Sequence, residues 1–197
     1  NEDCLEGMKR IPDKSVDMIL CDLPYGTTSC KWDTIIPFEP LWEQYERVIK
    51  DNGAIVLTAS QPFTSALIMS KPKLFKHEWV WIKSHGGFAT AKHKPLKRHE
   101  DVLVFCRGKV PYYPIMVDVE GHARDYRNEP SFKTGEGRNK YDSAVNPNTK
   151  MIYAKDYNHK KRYPKSHIEF SNRKEKTIHP TQKPVALFEY LIRTYTN

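Results

Sequence analysis

Asp22, Leu23, Pro24 and Tyr25 form a tetrapeptide whose residue types suit a planar group carrying an amino nitrogen. A carboxylate accepts a hydrogen bond from such a nitrogen, and a backbone carbonyl held by a proline turn accepts a second. The tyrosine offers a face for stacking. The tetrapeptide follows Val16-Asp17-Met18-Ile19-Leu20-Cys21, an apolar run that reads as a buried strand. In open α/β sheets, ligands bind outside the carboxyl ends of strands, where these four residues would stand. Taken alone, the tetrapeptide equally suits an ordinary Asp-x-Pro turn with Tyr25 as packing.

The elements that must position it follow from patterning. Asp3 reads as the N-cap of a short helix from Cys4 to about Arg10, ended by Ile11-Pro12. After the Val16 strand comes a polar loop, Gly26 to Asp33. Phe38 to Lys50 has Pro40 in its first turn and Leu41, Tyr45, Val48 and Ile49 on one stripe. That predicts a helix, with Asn52-Gly53 as its stop. Ala54 to Thr58 is a continuous apolar run, read as a buried strand. Pro62 opens a predicted helix to about Ser70. Glu78 to Lys83 and Asp101 to Cys106 read as strands, and the Gly-rich, basic stretch from Ser84 to Arg98 as a mobile loop. Val185, Leu187, Phe188, Leu191 and Ile192 mark an amphipathic helix behind Pro184. Strands alternating with helices predict an α/β layered sheet. The expected division is a core over 1–106, an insert over 107–176, and a further helical start at 177–197.

Charge singles out the insert. The 197-residue chain carries a formal net charge of +8. Arg107 to Lys176 holds 16 Lys/Arg against 9 Asp/Glu, and 7 of the 11 tyrosines. A basic, tyrosine-rich segment on a near-neutral body suits an acidic polymer as partner. It is also too long for a simple connection inside a compact domain. The four cysteines (Cys4, Cys21, Cys30, Cys106) show no Cys-x-x-Cys spacing and read as buried, reduced thiols of a cytoplasmic protein. The eight histidines form no ligand pattern, so no metal site is expected. No apolar run approaches the roughly 18–20 residues of a membrane helix. A chain that opens on Asn1 without Met is expected to begin inside its reading frame.

In this order the motifs resemble a family. Asp22-Leu23-Pro24-Tyr25 is similar to the Asp/Asn/Ser-Pro-Pro-Tyr/Phe/Trp tetrapeptide of amino-group DNA methyltransferases that use S-adenosylmethionine. The likeness extends to Asn1-Glu2-Asp3-Cys4-Leu5-Glu6, Lys50 to Ile55, Arg98 to Phe105, and His179-Pro180-Thr181-Gln182-Lys183-Pro184. The tetrapeptide standing first resembles the permuted (β) class, and Leu23 followed by Gly26-Thr27-Thr28 resembles phage- and prophage-borne members. The resemblance implies a Rossmann-like methyltransferase sheet with helices on both faces, S-adenosylmethionine as cofactor, and a flipped base in double-stranded DNA as substrate, adenine first. Asp22 and the Leu23 carbonyl would accept the amino group, and Tyr25 would stack on the base. Asp22, Leu23, His179, Thr181 and Lys183 would border the cofactor, with Lys183 free to pair with a carboxylate. Lys92, Lys94, Lys97, Arg98 and the Arg107–Lys176 region would meet DNA. Members often dimerise, and some accompany a restriction nuclease; neither property is fixed by these residues.

One family element has no match. A Phe-x-Gly-x-Gly cofactor loop should follow the helix at Pro184, where this chain stops. Gly135-Glu136-Gly137 follows no strand and is rejected for the role. A truncated chain is therefore expected. Three other readings remain open: a cytosine amino-methyltransferase, a protein glutamine methyltransferase with a related tetrapeptide, and a DNA-binding module without catalysis.

Overall fold

The computed structural model describes residues 2–86, 91–118, 161–173, 179 and 181–197. The elements run α1 (Cys4–Met8), β1 (Val16–Asp22), α2 (Phe38–Val48), β2 (Ile49–Ala59), α3 (Phe63–Ser70), β3 (Phe75–Ile82), β4 (His99–Phe105), β5 (Val117–Asp118), β6 (Lys161–Arg162), β7 (His167–Glu169) and α4 (Val185–Tyr195). Two compact units divide the chain: residues 1–114 with 165–197, and residues 115–164. Arg107 to Pro114 and Lys165 to Arg173 thus belong to the first unit, although the sequence grouped them with the insert. In the second unit β5 pairs antiparallel with β6, Val117 opposite Arg162.

The first unit is built on a five-stranded sheet in the order β1-β2-β4-β3-β7. β1 lies parallel to β2 and β3 parallel to β7, while β4 runs antiparallel to both of its neighbours. The carboxyl ends of β1, β2, β3 and β7 therefore meet the amino end of β4 at one end of the sheet. Alternation along each strand feeds two cores. Ile55, Leu57, Leu103 and Phe105 face α2 and α3 through Leu41, Trp42, Tyr45, Phe63 and Leu67. Ala54, Val56, Val102, Val104, Trp79 and Trp81 face α4 through Leu187, Leu191 and Tyr195. Helices thus cover both faces, as expected.

Tyr195 joins α4 to the sheet. The Trp79 indole N–H donates to its hydroxyl, which lies 2.7 Å from His77 Nε2. That oxygen accepts from Trp79, and its own proton can go to His77 when Nε2 is unprotonated.

Several local readings are corrected. Asn52-Gly53 does not end α2, which stops at Val48. It lies in β2, where Ile49 pairs with Val16 and Ala54 with Met18, so the strand bulges. Gly53 is required there: an added Cβ would stand 2.9 Å from the Asp17 carbonyl. β7 and the β5–β6 pair had no strand signal, being two or three residues long. Cys106 is buried, but Cys4 and Cys30 are exposed, against the expectation of buried thiols. Neither side chain belongs to either core, although Leu5 and Met8 of the same helix as Cys4 pack against the first.

No helix among the described residues is long and apolar enough to cross a membrane.

Candidate active site

Parallel pairing of β1 with β2 sets Asp22 opposite Thr58 at their carboxyl ends. The Thr58 hydroxyl donates to Asp22 Oδ1, and the Tyr25 hydroxyl lies 2.9 Å from Thr58 Oγ1 and 3.0 Å from Asp22 Oδ1. Lys183 Nζ reaches the same oxygen at 2.9 Å. All these contacts fall on Oδ1; no hydrogen bond from a described residue reaches Oδ2. Burial, and the negative charge of Asp22 and Glu100, push the Tyr25 phenol far above its ordinary range, so it stays a neutral donor.

Glu100 comes from the amino end of β4. Its Oε1 accepts from Lys83 Nζ at 2.8 Å, and its Oε2 stands 3.2 Å from Lys183 Nζ. That Oε2 is buried and without a hydrogen bond of good geometry, so the 3.2 Å contact acts as a Coulombic one. Lys83, Glu100, Lys183 and Asp22 form a chain of alternating charge.

Asp22, Tyr25, Lys83, Glu100 and Lys183 border a cavity of about 800 Å³, within the range of small-molecule sites. Leu23 lines it as well. Its side chain sits in the core at 5% exposure, and its carbonyl accepts no hydrogen bond from a described residue. Pro24, Tyr25, His179, Thr181 and Lys183 border the same space. The structure thus gathers Asp22, Leu23, Pro24 and Tyr25 with His179, Thr181 and Lys183, more than 150 residues away in sequence. Pro180 lies outside the described residues. Thr181 Oγ1 lies 3.1 Å from His179 Nδ1. The Tyr25 ring stacks on Phe63 (centroids 5.3 Å apart, planes at 26°), and Lys183 Nζ lies 5.3 Å from its centroid.

The cationic residues expected to meet DNA separate into two kinds. Lys92 and Lys94 are exposed. Lys97 donates to Ser60 Oγ at the cavity wall, and the Arg98 guanidinium donates to the carbonyls of Lys83 and Ser84. In the Arg107–Lys176 region, Arg107 pairs with Glu46, and Lys161 and Arg162 are exposed. Residues 119–160 and 174–178 of that region lie outside the described residues, as do the Gly135-Glu136-Gly137 triplet, Tyr126, Tyr153 and Tyr157. Tyr112 and Tyr113 belong to the first unit, where the Tyr113 N–H donates to the Thr194 carbonyl.

Residues of the site missed in sequence include Trp32, Asp33, Thr58, Lys83 and Glu100. Asp33 is 8% exposed and accepts from the backbone N–H groups of Gly26, Thr27 and Thr28 at 2.9, 2.9 and 2.7 Å. With the Thr28 side chain as the largest contributor, these bonds hold its carboxyl at about 2. Gly26 takes φ +66°, which a side chain would strain. A carboxylate seven residues after a loop glycine was the available signal for this turn. Thr58 and Glu100 could be found only through strand register. Among the described residues, no group of three or more His, Cys, Asp or Glu is placed to hold a metal ion.

The fold and the site together define a class. The DNA methylase (N6/N4 methyltransferase) family model matches residues 16–197, and the chain belongs to that family. It is 23% identical over 206 residues to the type II methyltransferase M.HpaI of Haemophilus parainfluenzae, covering 98% of this chain and 58% of that protein. It is 28% identical over 215 residues to the DNA adenine methyltransferase YhdJ of Escherichia coli, covering 99% of this chain and 66% of that one. The chain thus spans little more than half the length of M.HpaI. Among solved structures, PvuII DNA methyltransferase (cytosine-N4-specific) aligns with TM-score 0.57 at 11% identity, over 100% of this chain and 69% of its own. The complex of M1.HpyAVI with SAM aligns with TM-score 0.53 at 18% identity, over 100% and 76%. These likenesses establish the Rossmann-like methyltransferase fold.

Proposed function

We propose that this protein transfers a methyl group from S-adenosylmethionine to the exocyclic amino group of an adenine flipped out of duplex DNA. The observation that carries the reading is Asp22: one oxygen is held by Thr58, Tyr25 and Lys183, and the other accepts no hydrogen bond from a described residue. Such a carboxylate is a preorganised acceptor.

The cavity and its donors fit the methyl donor. Its volume of about 800 Å³ takes a nucleoside-sized ligand. Lys183, expected from the resemblance to hold a carboxylate of that ligand, is already paired with Asp22 and Glu100, and His179 and Thr181 would offer the polar contacts beside it. When bound, the donor supplies an electrophilic methyl on a sulfonium. Asp22 Oδ2 accepts one N–H of the base and the Leu23 carbonyl the other, which directs the nitrogen lone pair toward that methyl. The same two oxygens stabilise positive charge as it grows on nitrogen. Flipping is required because the amino group cannot reach the site inside the duplex. Tyr25, firm against Phe63, forms a wall of the base site. Lys92, Lys94 and the basic 107–176 segment would meet phosphates, with base readout also in that segment.

Asp rather than Ser at the head of the tetrapeptide supports adenine, as does the likeness to YhdJ. The likeness to the PvuII enzyme keeps the amino group of cytosine as the second reading. Incubation with labelled donor and DNA, followed by nucleoside digestion, separates them. The expected product is N6-methyladenine; N4-methylcytosine would transfer the assignment. Salt-dependent DNA binding without donor binding or transfer would instead identify a DNA-binding module.

A further inference from the structure

The four tryptophans play two different parts. Trp42, Trp79 and Trp81 are 1%, 3% and 2% exposed. Each of their indole N–H groups donates a hydrogen bond: to Ser70 Oγ, to the Tyr195 hydroxyl, and to the Phe170 carbonyl. They are core residues with their polar atoms satisfied. Trp32 is 50% exposed and lines the cavity, and its N–H makes no hydrogen bond to a described residue. Its ring contact is edge-on to His179, with centroids 5.4 Å apart and planes at 66°. An edge contact leaves ring surface uncovered.

This exposed ring stands on a fixed loop. Asp33, next in the chain, is buried and gathers three backbone N–H groups of residues 26–28. The loop's conformation is set before any ligand arrives, which lowers the entropy cost of stacking on it. Tyr25 differs: its ring lies against Phe63 and its hydroxyl is engaged by Asp22 and Thr58. Of the described aromatic side chains bordering the cavity, Trp32 has the open surface.

We propose that Trp32 is the ring on which a flat nitrogen heterocycle stacks in this site. The proposal rests on the methyltransferase reading above. That chemistry has two sources, the target base in DNA and the adenine of the methyl donor, and the experiment separates them. Loss of one base–aromatic stack weakens binding roughly 5- to 150-fold.

Full-length wild type, Trp32→Ala and Trp32→Phe are compared by calorimetric titration with S-adenosylhomocysteine and by KM for DNA in methyl transfer. Iodide quenching of tryptophan emission is read with each ligand, since the half-exposed Trp32 is the accessible emitter in the wild type. Trp32→Ala is expected to raise one of the two constants about 5-fold or more, with Trp32→Phe within about 2-fold of wild type. A rise for S-adenosylhomocysteine assigns the stack to the donor's adenine, and a rise for DNA assigns it to the target base. The same ligand should shield wild-type emission from iodide. If the wild type is active and Trp32→Ala leaves both constants within about 2-fold, the proposal is overturned while the methyltransferase reading stands. A Trp32→Phe variant as impaired as Trp32→Ala also overturns it, because an aromatic face alone would then not suffice. A wild type that neither binds S-adenosylhomocysteine nor methylates DNA defeats both.

Discussion

Lys183 Nζ stands 2.9 Å from Asp22 Oδ1 and 3.2 Å from Glu100 Oε2. One ammonium thereby joins the carboxyl end of β1 to the amino end of β4, two strands away in the sheet. It also ties the turn before α4 to the tetrapeptide.

Removing this cation leaves Asp22 without a cationic partner and Glu100 with Lys83 alone, its other oxygen buried. Lys183→Met is expected to cost about 1–3 kcal/mol of unfolding free energy, less than the loss for a fully buried pair because Asp22 keeps some water. Adding Glu100→Gln should recover part of the loss, since the two effects share a partner. Urea denaturation of the single and double variants reads this. Strictly additive losses would show that the pair does not couple.

The Asp33 turn should respond to acid. Its carboxyl is held at about 2, below the usual carboxylate value of about 3.9 in an unfolded chain. Its contribution is therefore complete above about pH 4 and lost as pH falls toward 2. Amide exchange of Gly26, Thr27 and Thr28 is expected to accelerate over that window. In Asp33→Asn the same amides should exchange fast at every pH, because an amide cannot accept all three bonds. Unchanged protection in that variant would refute the anchoring role.

His77 sets a second pH dependence. Burial lowers its pKa below the ordinary 6.5. The unfolded chain then binds the extra proton first, so the contribution is present above about pH 6.5 and is lost as pH falls. His77→Gln keeps an acceptor for Tyr195 and should flatten the slope of stability between about pH 7 and 5. Tyr195→Phe removes the acceptor of the Trp79 N–H and should cost about 1–3 kcal/mol. A slope unchanged by His77→Gln would assign the pH dependence to other groups.

Much of this architecture was legible in the sequence because its central strands carry apolar runs and α2 and α4 are amphipathic. Ala54 to Thr58 and Asp101 to Cys106 could be read from composition, and Leu187 and Leu191 from helical spacing. Asp22 was legible because a carboxylate, a proline and a tyrosine follow an apolar strand. Thr58 and Glu100 were not, since nothing local marks a threonine or a glutamate that strand register brings beside Asp22. Asn52-Gly53 misled because a stop signal for a helix is also what a strand bulge needs. Trp32 sat in a stretch read as loop, where its exposure could not be seen.

The account turns on Asp22 as the acceptor for the amino group. The direct measurement is methyl incorporation into DNA by full-length Asp22→Ala, with DNA affinity determined in parallel. Transfer is expected to fall by about 10²–10³-fold or more while DNA binding is retained. Undiminished transfer by Asp22→Ala would contradict the account.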